Sequence, residues 1–184
     1  MLRQWYPLVL ALLFVTCAAP TRRAEVPLSE ETFISADSTL HGYVPKGWFA
    51  STDAGLFPHL AVSLIREDYA VALAIQEIHV DRNTERQLMK NGLEILAQLS
   101  FRLRVKKEKG AQIVGKPKWL DWLTIPAVQY EYSSDESPAP MPVLVFRIRD
   151  RYFESSVTAL KPTVTAMDIR QLSDTQIAVV ARLR

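Results

Sequence analysis

Cysteine is nearly absent from this chain: Cys17 is the only one in 184 residues. A single thiol excludes an internal disulfide and a thiolate-rich metal site, so the folded part must hold together by core burial alone. Glycine is scarce as well, with six in the whole sequence, and no glycine-rich loop is present to cradle a phosphate at a helix N-terminus. Long apolar runs are missing: the longest, residues 8–15, falls far short of the ~20 residues that span a bilayer. Neither sign of charge dominates, since 22 basic and 20 acidic side chains leave a net charge of +2. With no long charge block, there is no electrostatic footprint for nucleic acid. There are three histidines, and they form no His-x-His or His-Glu-x-x-His spacing. Gly-x-Ser-x-Gly is absent too, so no motif points to a metal enzyme, a serine hydrolase or a cofactor.

What is present begins with an address. Arg3 and the free amine precede the apolar run 8–15, the order of a secretory signal peptide. Phe14-Val15-Thr16-Cys17 resembles the box that closes a bacterial lipoprotein signal, with Phe14 where leucine is usual and Thr16 where a smaller residue is usual. The resemblance implies removal of residues 1–16 and a lipidated Cys17, hence attachment to the membrane through acyl chains. Ala18 is not aspartate, so the same resemblance implies sorting to the outer membrane, facing the periplasm. Two other fates compete: cleavage after Ala18, with Thr16 and Ala18 as the small pair, or an uncleaved leader serving as anchor. Each buried methylene contributes about 0.8 kcal/mol, and firm anchorage needs more than one chain. Loss of residues 1–16 removes Arg3, leaving 21 basic against 20 acidic side chains.

Residues 17–37 read as the lipidated cysteine and a tether, with residues 30–34 a possible first strand; residues 38–184 read as one domain. Strand patterns fall at 40–44, 59–66 and 70–78, the last two alternating and joined by a short link. In the third, Ala70, Ala72 and Ala74 share a face, which suits the close approach of a helix. A helical stripe through Leu88, Gly92, Ile95, Leu96, Leu99 and Leu103 predicts one helix over 81–107, capped by Asp81 or Asn83. Strand grammar returns at 111–114, 118–125 and 127–133. After an exposed loop it continues at 143–149 and 152–160, a hairpin around Asp150-Arg151. Ser173 and Gln176 match a capping box, predicting a last helix from there. Strands, helix, strands and helix with antiparallel hairpins make the fold class α+β, an antiparallel sheet flanked by helices.

The order of elements, together with Gly42-Tyr43-Val44-Pro45-Lys46-Gly47-Trp48 and the run Val143 to Arg149 followed by Tyr152-Phe153-Glu154, resembles the PsbP-like fold. The Ran-binding Mog proteins and the DcrB-type bacterial lipoproteins share that fold. The resemblance implies an α/β/α sandwich, and a binding or assembly role; it brings no catalytic signature and cannot name a partner.

Three sets of residues stand out. Lys116, Lys118, Trp119 and Trp122 mix cations with indoles, a composition suited to an interface or an aromatic-lined groove, against which stands a pair of tryptophans covering the sheet. Arg147, Arg149 and Arg151 fall at period two, as one strand face would present them to an anionic partner or as a charged sheet edge would. His59, Glu77 and His79 flank a hairpin and are the sole candidates for a metal site; strand-end residues facing water are the plainer reading. The expectation is a non-enzymatic, lipid-anchored envelope protein that binds a protein partner and no nucleic acid, with no cofactor. The competing readings are a small-ligand carrier whose pocket is lined by Trp119, Trp122, Tyr130 and Tyr132, and a metal-dependent hydrolase.

Overall fold

The computed structural model describes residues 26–53, 59–137 and 139–184; the leader and Cys17 lie outside them. The described elements run β1 (Leu28–Ile34), β2 (His41–Pro45), β3 (Trp48–Ser51), β4 (Leu60–Arg66), β5 (Val71–Ile78), α1 (Arg82–Asn91), α2 (Glu94–Lys107), β6 (Gln112–Trp119), β7 (Ala127–Ser133), β8 (Met141–Ile148), β9 (Arg151–Ala159) and α3 (Ala166–Val180). Seven strands form one sheet in the order β3-β4-β5-β9-β8-β7-β6, and β1 with β2 forms a separate two-stranded ribbon. All pairings are antiparallel. The class is therefore α+β, as the alternation of apolar and polar residues predicts.

Alternation along a strand sends neighbours to opposite faces, and the two faces here carry different helices. On β7, Tyr130 reaches Ser100 of α2 while the adjacent Gln129 donates to Ser173 of α3 at 2.8 Å. The sheet thus lies between α2 and α3. The α3 face is the drier one: Val62, Leu64, Leu73, Ile75, Leu144 and Phe146 have no exposed surface, and Phe146 stacks on Phe153 with ring centroids 5.6 Å apart. Against this face Gln176, wholly buried, donates to the Ser155 carbonyl at 2.8 Å. The alanine face of β5 looks to the α2 side, but α2 packs on β6, β7 and β8 instead. Ala74 is half-buried.

Several sequence readings need correction. The domain boundary at residue 38 falls too late: the first strand expected at 30–34 begins at Leu28 and pairs with β2. The turn ending at Trp48 opens a further strand, β3. Residues 111–125 are not two strands: β6 is one strand ending at Trp119, with a register shift between Val114 and Lys118. The last helix is not capped by Ser173. Its cap is Thr165, whose hydroxyl accepts from the Asp168 N–H at 3.2 Å while Asp168 accepts from the Thr165 N–H at 2.9 Å. Ser173 and Gln176 sit inside α3 and face the sheet.

The single helix predicted over 81–107 is two. Asp81 caps α1, accepting from the Thr84 N–H at 2.7 Å, and the chain leaves the helix at Gly92, which has φ +77°. That left-handed value costs any residue with a Cβ, and glycine adopts it freely. The helical stripe runs through Gly92 on paper, yet the break resets it. Leu103 is 44% exposed, and the buried face of α2 is Leu96, Ala97 and Ser100. Replacing Gly92 with alanine should cost about 1–2 kcal/mol, read as a lower urea midpoint with an unchanged m-value.

Candidate interaction surface

Beneath α2 lies a polar cluster that the sequence reading did not anticipate. Arg104 forms an ion pair with Glu154 of β9; each side chain is only 14% exposed. Ser100 donates to the second Glu154 oxygen at 2.5 Å. Its oxygen is then free to accept from the Tyr130 hydroxyl, also at 2.5 Å, and Arg104 Nε donates to Tyr130 at 3.3 Å. Arg104 also reaches Tyr132 and Glu108, and lies over the Tyr132 ring at 4.8 Å. Burial disfavours the Arg104 charge, but the Glu154 carboxylate and the neighbouring tyrosines outweigh it and raise its pKa. Burial pushes the Tyr130 hydroxyl up to about 12. Every partner here is another member of the cluster, so its chemistry is positional: it docks α2 on the sheet.

This cluster also disposes of the aromatic pocket expected from Trp119, Trp122, Tyr130 and Tyr132. Tyr130 and Tyr132 are 1% and 5% exposed, held by hydrogen bonds under α2. Trp119 and Trp122 are 41% and 60% exposed. The four do not line one opening.

The tryptophans belong to the margin of the sheet. β6 is the edge strand, and Trp119 pairs with Val128 while Lys118 pairs with Gln129. Lys118 and Trp119 therefore point to opposite faces, not to the single surface the sequence suggests. The Trp119 indole N–H donates to Glu94 at 2.8 Å. Its ring lies against Gly92, where an added Cβ would come within 3.3 Å, so it fastens the α1–α2 break to the edge. Ile113, on the same face as Tyr132, is 41% exposed. Trp122 follows in the turn beyond the strand.

The three arginines are dispersed as well. The period-two count runs through a turn: β8 ends at Ile148 and β9 begins at Arg151. Arg147 faces the α2 side beside Tyr152, its guanidinium 5.9 Å from that ring, and pairs with the exposed Asp150 at 3.0 Å. Arg149 occupies the turn. Arg151 faces the other side, where it grips Glu77 through two nitrogens and Asp37 at 2.7 Å. That grip joins β5, β9 and the β1–β2 loop, which makes Arg151 an internal tie. The Arg151 guanidinium holds the Glu77 carboxyl below its ordinary range, against the opposing effect of burial. Burial alone would raise Asp37, but hydrogen bonds from Ser35, Thr39 and Arg151 hold it well below the usual carboxylate range.

His59 and His79 do meet, edge to face with centroids 4.4 Å apart, and His79 Nδ1 lies 3.6 Å from Glu77. Glu77 is already committed to Arg151, however. Among the described residues no three His, Cys, Asp or Glu side chains are grouped to hold a metal ion.

No family model matches the sequence, and no curated protein does. Solved structures do. The chain is similar to cyanobacterial PsbP (CyanoP) from Synechocystis, at 12% identity and a TM-score of 0.50 over 86% of this chain and 92% of that one. It is also similar to LpqN, involved in cell envelope biogenesis of Mycobacterium tuberculosis, at 15% identity and 0.44 over 81% and 89%. A third is the Saccharomyces cerevisiae Ran-binding protein Mog1p, at 11% identity and 0.45 over 85% and 95%. The domain has the PsbP-like fold, in agreement with the resemblance in its sequence.

The buried cluster makes two predictions. Arg104→Met should cost about 3–5 kcal/mol by leaving Glu154 buried and unpaired, and Glu154→Leu in the same chain should recover most of it; a double-mutant cycle in urea measures both. The second concerns alkali. A tyrosine whose folded pKa is about 12 against an ordinary ~10 contributes stability that is whole below pH ~10 and is lost as pH rises through the folded value. Urea midpoints should fall over that window, and Tyr130→Phe should flatten the fall.

Proposed function

We propose that this protein is a non-enzymatic, lipid-anchored protein of the bacterial envelope, whose edge strand β6 docks a protein partner. The observation that carries the reading is the placement of Trp119 and Trp122, 41% and 60% exposed at one end of an edge strand, in a domain that buries Tyr130, Phe146 and Phe153 fully. Tryptophan is the residue most enriched where a few side chains dominate protein–protein affinity. A partner gripping this margin meets the Trp119 indole and Ile113 on one side, the Lys118 ammonium on the other, and Trp122 beyond the end of the strand. The chemistry that fits is a cleft with apolar pockets and an acidic lip.

Anchorage follows from the leader. No helix among the described residues is long and apolar enough to cross a membrane, and Cys17 carries the only thiol. Ten residues lie between Cys17 and Leu28, so the step from one to the other reaches at most about 40 Å when extended. That lets the domain stand off the bilayer without leaving it. With Ala18 following the cysteine, the destination is the outer membrane, periplasmic side.

Two measurements test this reading. Intact mass of membrane-extracted protein should show a chain starting at Cys17 with its acyl groups, and Cys17→Ser should release the protein to the soluble fraction; a mature chain starting at Ala19 without lipid contradicts anchorage. A photo-crosslinking residue at position 122 in intact envelopes should give a discrete adduct, lost on Trp119→Ala and absent when the crosslinker stands at Lys161. No adduct, or the same adduct from both positions, removes the docking site.

A further inference from the structure

The β1–β2 ribbon and the C-terminal segment enclose a cleft of about 400 Å³, lined among others by Thr32, Phe33, His41, Gly42 and Tyr43 and by three arginines, Arg149, Arg182 and Arg184. We propose that this cleft is an anion site for a phosphate-bearing ligand, with the three guanidiniums holding the phosphate and the ribbon holding the body attached to it.

The floor is built for close approach. A Cβ at Gly42 would lie 2.6 Å from Phe33 Cζ and 2.9 Å from Leu183 Cδ2, so glycine lets the Phe33 ring and Leu183 close up beneath the opening. The C-terminal segment is held there by a reciprocal pair of backbone bonds between His41 and Arg184, at 3.2 and 3.0 Å. Leu183 is buried while Arg182 and Arg184 on either side of it are exposed, which leaves their guanidiniums to the cleft.

The charges are uncompensated. The ion pairs among the described residues engage Arg66, His79, Arg104, Arg147 and Arg151; none includes Arg149, Arg182 or Arg184. Among the residues that line the cleft there is no carboxylate side chain. Guanidinium forks match phosphate oxygens in shape and charge, and a phosphate monoester carries close to two negative charges with three acceptor oxygens. One carboxylate would leave most of this charge unanswered.

Arg149 adds an independent argument. It stands in the β8–β9 turn at φ +55°, a left-handed value that a hairpin turn meets best with asparagine or glycine. A side chain at this position costs the turn stability, and this one lines the cleft. The cleft is also far larger than a phosphate ion, within the size range of small-molecule sites. Tyr43 and the half-exposed Ile34 offer an apolar rim above the Phe33 floor. The ligand is a phosphate monoester with an organic body, either a free soluble ester or a lipid that ends in a phosphate monoester.

The test uses the full chain in detergent micelles. Glycerol 3-phosphate is titrated by calorimetry while the arginine Nε–H signals are followed by NMR. A second arm places the protein in phosphatidylcholine nanodiscs with or without phosphatidic acid, a lipid phosphate monoester. Saturable binding of glycerol 3-phosphate that shifts the signals of Arg149, Arg182 and Arg184 supports the site and identifies a free ester. Shifts only in nanodiscs that contain phosphatidic acid support it and identify a lipid phosphate. Arg182→Gln and Arg184→Gln should each weaken binding about tenfold, and Arg102→Gln on α2 should leave it unchanged. Arg149→Gly should raise the thermal midpoint while weakening binding, a divergence that misfolding cannot produce. No shift in either arm, or equal weakening by Arg102→Gln, overturns the proposal.

Discussion

A single ion pair, Arg104 with Glu154, decides how the α2 layer meets the sheet. Glu154 sits on β9, a strand with three more on one side and three on the other, and Arg104 lies in the last turn of α2. Two charges removed from water add little net stability unless every remaining donor and acceptor is satisfied. Here Ser100, Tyr130, Tyr132 and Glu108 do that. The consequence is positional: slide α2 by one residue and all of these bonds fail together. Downstream features inherit that position. Glu94 at the start of α2 is where Trp119 finds its acceptor, so the exposed edge is set by a pair buried some distance along the same helix.

The strands were legible wherever one face is dry. In β4, β5 and β7 polar or small residues interrupt the apolar ones at period two, while β8, covered on both faces, reads as an unbroken apolar run from Met141 to Phe146. Boundaries slipped where chemistry other than periodicity ruled. Gly92 fits a helical stripe by spacing, but its backbone turns to φ +77° and leaves the helix there. Ser173 and Gln176 match a capping box by letter, yet the true cap, Thr165 with Asp168, lies a little earlier and uses aspartate in the reaching-back role. Arg147, Arg149 and Arg151 share a parity that means nothing once a turn intervenes.

The candidate sites fared by the same logic. His59 and His79 come together as hairpin ends must, a consequence of topology that the strand pattern already contained. The Arg104–Glu154 pair spans fifty positions and has no local signature. Ser100 and Arg104 do fall at helical spacing with Leu96, and a polar pair on an otherwise inward stripe was the one available hint. Glu77 and Arg151, seventy-four positions apart, share that invisibility. Of the basic residues that composition made conspicuous, Arg151 is consumed internally, while the quieter Arg182 and Arg184 keep their charge for the surface.

The bulge in β6 limits how anything can adhere to that margin. Between Val114 and Lys118 the pairing slips, Gly115 turns left-handed at φ +74°, and Pro117 has no amide hydrogen to offer. A foreign chain cannot zip its backbone along such a rail, because the rail changes gauge midway. Cross-strand polymerisation is thereby discouraged, and whatever settles on this flank is discriminated by the character of its side groups, never by mere willingness to extend.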